Sequence, residues 1–192
     1  MDMSTANLQL VGLNQLPKIY AHIQEDFSSQ YAPYRIYAEY LAEQKLHCYQ
    51  LSLGKQMLGY ALTFVHPELP LQIIWHLAVL REHRERGYGS QLLKLLSQEL
   101  VDSQGILVEV ERVQNAASLA EQKERQRRIT FYERAGYRIM PHHWTLHGTA
   151  YKLMFGNNDS LQDHFTTILE QADSIYRSFY PPMVPVVYFE AD

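Results

Sequence analysis

Arg84-x-x-Gly87-x-Gly89 followed by Ser90 is the set of residues whose types and spacing best suit chemistry. Glycine lacks the Cβ that would hold a backbone away from a ligand, and a helix start offers unpartnered N–H groups and the positive end of the dipole. Together they make a phosphate cradle, and Arg84 and Arg86 add attraction for an anion. Two other phosphate loops are excluded by spacing. A dinucleotide fingerprint needs glycine where Leu92 stands, and a Walker loop needs one where Tyr49 precedes Gly54-Lys55.

Three other groups of residues carry chemistry by type. Glu109 and Glu111 alternate along one apolar run, so a strand there puts both carboxylates on one face, where each raises the proton affinity of the other and both attract a cation. His76 has the parity opposite to Ile73 and Trp75. A regular strand makes it a hydrogen-bonded core histidine, and only a bulge turns it toward the reacting face, where it would be a candidate base. His143 and His147 have the i, i+4 spacing of a helical metal pair, but Pro141 and Gly148 bracket a strand connection, so no metal site is expected. Cys48 is the single cysteine. It allows no internal disulfide and no cysteine-based zinc site, and with only His47 as a neighbouring base it disfavours a covalent acyl-enzyme.

The elements that must position these residues follow from periodicity. Leu71 to Leu80 is an apolar run of strand length, and Leu92, Leu93, Leu96 and Leu100 have helical spacing, so the glycine loop lies between a strand and a helix that Ser90 opens and Gly105 ends. Before it come a strand at residues 7 to 12, a helix through Leu16, Ile19, Ile23 and Phe27, and a helix from Tyr34 to Lys45. A hairpin then turns at Gly54-Lys55 between Tyr49, Leu51, Leu53 and Leu58, Tyr60, Leu62, Phe64. After it come a strand from Ile106 to Glu111 and a polar stretch to Arg128, read as a solvated helix face or loop. Ile129, Phe131, Tyr132 and Ala135 form a helix stripe capped by Gly136. Strands at Tyr137 to Met140 and Ala150 to Phe155 complete the sheet. Leu161, Phe165, Ile168, Leu169, Ala172 and Ile175 stripe a last helix, capped at Asn158, Asp159 or Ser160, and prolines hold the tail after Tyr180 extended.

At 192 residues, with 46% apolar and 20% charged residues, the chain suits a single folded domain. A net charge of -4 argues against broad binding of nucleic acid or an anionic membrane and mildly favours a cationic acceptor. The start lacks a basic segment followed by an apolar one, and no apolar run reaches membrane-spanning length, so a cytoplasmic protein is expected.

The strand-loop-helix at Leu71 to Leu100 resembles the acyl-CoA pyrophosphate loop of the GNAT (Gcn5-related) N-acetyltransferase superfamily, whose motif is Gln/Arg-x-x-Gly-x-Gly/Ala. Phe131-Tyr-Glu-Arg-Ala-Gly-Tyr137 resembles the superfamily's Tyr-x-x-x-Gly-Phe/Tyr segment, and the two segments together cover roughly residues 71 to 140. The element order β-α-α-β-β-β-α-β-α-β-β is the one the resemblance implies: an α/β fold with a mixed, mostly antiparallel twisted sheet of about seven strands flanked by helices. Residues 1 to 156 would be the acetyltransferase domain, and residues 157 to 192 a helix and tail packed on it, closing the acceptor side or forming a dimer contact.

The resemblance implies transfer of the acetyl group of acetyl-CoA to an amine, on a small molecule or a protein, by direct attack. The rival is an acyl-CoA-binding or interaction protein without catalysis. The backbone of Leu77, Ala78 and Val79 would hold the pantetheine arm and the oxyanion, and Arg84, Glu85, Arg86, Gly87, Tyr88, Gly89 and Ser90 the pyrophosphate. Tyr132 would protonate the departing thiolate, a task suited to a phenol of pKa about 10. Glu111, nearer the strand end, is the preferred base, with pairing to Arg125, Arg127 or Arg128 as the competing arrangement. Two departures stand out. Glu85 occupies a position where family members often have glycine, and an arginine-rich insert separates the fifth strand from Tyr132, where it would shape the acceptor pocket.

Overall fold

The computed structural model describes residues 6–27, 31–146, 149–156, 165–179 and 190–191. Among the described residues it is an α/β fold of eight strands, most of them antiparallel, with five α-helices. In chain order these are β1 (Asn7–Val11), α1 (Leu16–Phe27), α2 (Tyr34–Ala42), β2 (Leu46–Leu53), β3 (Gln56–His66), β4 (Leu69–Val79) and α3 (Tyr88–Glu99). Then follow β5 (Gly105–Glu111), α4 (Leu119–Arg134), β6 (Arg138–Leu146), β7 (Thr149–Gly156), α5 (Phe165–Phe179) and β8 (Glu190–Ala191). The chain divides into two compact units, residues 1–67 with 74–100, and residues 68–73 with 101–192.

The first unit has the strand order β1-β2-β3-β4. Its hairpin closes on Gly54, whose φ of 58° suits the left-handed turn that a residue with a Cβ would resist. Leu16, Ile19 and Ile23 put the apolar stripe of α1 into the core, and Leu92, Leu93 and Leu96 do the same for α3. The second helix is shorter than its apolar spacing predicts. It stops at Ala42 because Gln44 turns left-handed at φ 57°, and the Lys45 N–H bonds back to the Tyr40 carbonyl. A glutamine in that conformation leaves no signal of the kind glycine does.

The second unit runs from the start of β4 through β5-β7-β6-β8. Gly105 does not end α3 as its type suggests. The helix closes at Leu100, and Gly105 opens β5, where a Cβ would stand 2.1 Å from the Phe155 ring. Packing, not backbone conformation, requires glycine there. The polar stretch and the following apolar stripe form one helix, α4, capped by the Ser118 hydroxyl, which accepts from the Glu121 N–H at 3.2 Å. Strand β6 continues through Pro141 to Leu146 with a register shift between Ile139 and His143. Helix α5 buries Ile168, Leu169, Ala172, Ile175, Tyr176 and Phe179. The expected cap at residues 158–160, Leu161, His147 of the histidine pair, and the proline tail up to residue 189 lie outside the described residues.

Among the described residues no helix is long and apolar enough to cross a membrane.

Candidate functional site

Strand β4 ends at Val79, Arg81–His83 make one 3-10 turn, and Gly87 at φ 80° is the N-cap of α3. The helix therefore starts at Tyr88, two residues before the expected Ser90. No side chain caps this N-terminus, and a Cβ at Gly87 would meet nothing within 4 Å. The first-turn N–H groups thus keep their capacity for an external acceptor. Glu85 lies at φ 62° and is exposed. That left-handed conformation costs a glutamate roughly 1–2 kcal/mol relative to glycine.

Arg84 is engaged within the protein. Its Nε donates to the Val79 carbonyl at 3.0 Å and its Nη2 to Asp26 Oδ1 at 2.6 Å, while Tyr60 donates to Asp26 Oδ2 at 2.9 Å. What its side chain supplies is position: it ties the loop to the end of α1 and to the end of β4. Arg86 is exposed. Leu77, Ala78 and Val79 are half-buried, and their backbone lies so close to β3 that a Cβ on Gly59 would stand 2.6 Å from the Ala78 carbonyl oxygen. Glycine at 59 is therefore a condition of the path taken by that segment. Asp26, Tyr60 and Gly59 were not legible as members of this arrangement, because each acts on residues distant in sequence.

His76 is buried and bonded through Nε2 to the Tyr37 hydroxyl at 2.9 Å. It packs beside Phe27, Trp75 and Tyr37, and burial pulls its pKa down to about 3. An imidazole so placed is neutral at physiological pH. Cys48 is buried too, with its thiol pushed up to about 12, which removes it as a nucleophile near neutrality.

In the second unit, Tyr132 sits near the end of α4. Gly136 at φ 87° reverses the chain; its N–H bonds to the Glu133 carbonyl and the Tyr137 N–H to the Tyr132 carbonyl, both at 3.0 Å. This paired closure comes with ring contact between Tyr132 and Tyr137 at 5.4 Å. The Tyr132 side chain is buried, and that burial pushes its phenol up to about 12, with Arg128 opposing. It is a protonated, fixed hydroxyl throughout the neutral range.

Glu111 is ion-paired. Arg128 Nη1 lies 3.1 Å from Oε2 and Arg125 Nη2 3.6 Å from Oε1. Arg125 is itself buried, donating to the Arg112 carbonyl and to Glu121 at 2.6 Å each. Two guanidinium groups thus hold the Glu111 carboxylate in place. Glu109, on the same strand and the same face, meets Tyr176 of α5, whose hydroxyl donates to Oε1. Burial raises the Glu109 carboxyl well above the ordinary carboxylate range. A tyrosine inside the apolar stripe of α5 was the sequence signal for this pairing, since a buried phenol needs a partner. The insert helix also lines a cleft of about 330 Å³ through Gln122, Gln126, Ile129 and Glu133, together with Ile139 and Lys152.

Solved acetyltransferase structures share this fold. The ribosomal-protein-S18-alanine N-acetyltransferase of Escherichia coli is 22% identical, with 79% of this chain and 92% of that chain covered and a TM-score of 0.58. The spermidine N-acetyltransferase of Vibrio cholerae, solved with CoA and spermine, is 12% identical over 80% and 95% of the two chains, with a TM-score of 0.60. NAA60 of Arabidopsis thaliana, solved with acetyl-CoA, is 13% identical over 79% and 98%, also with a TM-score of 0.60. At such identities the likeness is one of fold. No curated protein matches the chain by sequence. A family model described as Acetyltransferase (GNAT) domain does match, over residues 40–139, which is more than half of the 192 and includes β4, the glycine loop, β5 and Tyr132. The chain belongs to the GNAT acetyltransferase family.

Proposed function

We propose that the protein transfers the acetyl group of acetyl-CoA to a primary amine by direct attack within a ternary complex. The observation that carries this reading is the uncapped N-terminus of α3, opened by left-handed Gly87 directly after β4. It suits a pyrophosphate, which takes N–H donors and dipole together. The residues fit the cosubstrate: Gly87, Tyr88, Gly89 and Ser90 would hold the pyrophosphate through their backbone, with Arg84 fixing the loop. Glu85 and Arg86 flank it, and the Leu77–Val79 backbone would hold the pantetheine arm and stabilise the oxyanion.

Tyr132 is the proposed acid that protonates the departing thiolate. Burial keeps the phenol protonated near neutrality, so its proton is present to be donated as the thiolate leaves. The acceptor is an amine on a small molecule or on a protein, the two kinds of acceptor named for the solved relatives.

Thermal unfolding with acetyl-CoA tests the cosubstrate. At 100 times its dissociation constant a ligand stabilises by about 2.7 kcal/mol, a rise in midpoint of roughly 5 to 10 °C for a chain of this length. No rise at saturation would overturn the reading. Tyr132→Phe is expected to cut kcat by roughly 100-fold or more while acetyl-CoA still binds. Binding of acetyl-CoA without turnover of any amine, in wild type as in the variant, would instead favour an acyl-CoA-binding protein.

A further inference from the structure

Two carboxylates two residues apart on one strand have been given opposite surroundings. Glu111 is paired with two cations, Arg125 and Arg128. Glu109 is half-buried opposite Leu153 of β7, and its described partner is a neutral hydroxyl, Tyr176, which is itself fully buried. Tyr151 of β7, opposite Glu111, lies close enough to feel the charge of both carboxylates. Among the described residues, the titratable and charged groups found near Glu109 are Tyr176 from α5, Tyr151 from β7 and Glu111 from its own strand, with Arg128 of α4 acting beyond Glu111. Pairs of acids held in such different environments divide their tasks: one is clamped by cations and the other is left to exchange a proton.

We propose that Glu109 is the group that takes the proton from the acceptor's ammonium, and that Tyr176 of the C-terminal helix is its positioning residue. The inference rests on the acetyltransferase reading and replaces Glu111 with Glu109 as base. Helix α5 lies beyond the matched residues 40–139. The protons balance. The ammonium nitrogen loses two, one to the Glu109 carboxylate before attack and one when the C–N bond is complete, and both pass to solvent. The C–S bond breaks, Tyr132 gives its proton to the sulfur and regains one from solvent, and the net release is one proton.

The sign of the pH dependence follows. Only the ionised carboxylate accepts a proton, so kcat/KM falls as pH drops through the folded pKa of Glu109, which burial has raised. The Tyr176 hydroxyl stabilises that ionised form, so Tyr176→Phe moves the acid limb to higher pH.

The test follows kcat/KM against pH by free-thiol release, with acetyl-CoA and a panel of primary amines that includes spermidine and a peptide with a free amino terminus. In parallel, the side-chain carboxyl of Glu109 is titrated by carbon-13 NMR, its signal identified by its loss in Glu109→Gln. The expected result is a 100-fold or greater fall in kcat for Glu109→Gln with the acetyl-CoA thermal shift retained. The acid limb and the NMR titration should coincide in wild type and move upward together in Tyr176→Phe. Turnover in wild type with a limb that ignores both Tyr176→Phe and the NMR titration would overturn the proposal alone, as would loss of the limb in Glu111→Gln and not in Glu109→Gln. Absence of an acetyl-CoA shift, or of turnover across the panel, would overturn the acetyltransferase reading and the proposal with it.

Discussion

The glycine loop and the Glu109 cluster are built on opposite principles. At the loop, the groups proposed to meet a ligand belong to the backbone: the first N–H groups of α3, which left-handed Gly87 leaves without a side-chain cap. At the cluster they belong to side chains from β5, α4, β7 and α5, and Tyr176 reaches Glu109 across 67 positions of sequence. A backbone site needs only that the right residue be small and the helix start in the right place. A side-chain site needs elements far apart in the chain to meet in one orientation, and its proton affinities come from burial and neighbouring charge. The loop is therefore expected to tolerate change in most of its side chains better than the cluster does.

That contrast can be broken at Arg125. Its removal leaves the Arg112 carbonyl without its charged donor and takes one cation from Glu111. Arg125→Met is expected to cost about 3 kcal/mol, or roughly 6 to 12 °C in the unfolding midpoint. A fall of less than about 2 °C would mean the arginines do not hold the cluster together. Next in size is Gly87→Ala. A Cβ there meets nothing within 4 Å, so the cost is conformational, about 1–2 kcal/mol, and calorimetry should also show weaker acetyl-CoA binding as the helix start shifts. Unchanged affinity would separate the glycine from the proposed cradle. The smallest effect is expected at Glu85→Gly, a gain of about 1 kcal/mol from relief of the left-handed backbone, with tighter acetyl-CoA binding from loss of a negative charge near the phosphates. A loss of stability would show that the Glu85 side chain makes a compensating interaction.

The difference between the two regions also explains which expectations were met in detail. The apolar run of β4, the Gly54 turn and the Gly136 cap are local features, and each lies where its residues imply. Gly105 was misread because a glycine has two uses, and only the Phe155 ring tells which applies. The polar run from Glu121 to Arg128 offered no apolar periodicity, yet it is helical. Ser118 caps its start, and Arg125 turns inward to bond the Arg112 carbonyl and Glu121. Sequence patterning assumes that arginine faces water, which fails where a buried arginine bonds a backbone carbonyl and pairs with two carboxylates.

Taken alone, the order of residues determined the alternation of strands and helices, the strand-loop-helix with its glycines and the presence of two carboxylates on one strand face, because these depend on neighbours within a few positions. Only the tertiary structure decided that Arg84 is bound to Asp26, that Tyr132 is buried and held by the Gly136 closure, and that Glu111 rather than Glu109 receives the arginines. Proton affinity and ion pairing follow from distance and dielectric in space, and residues 109 and 176 acquire a distance only when the chain has folded.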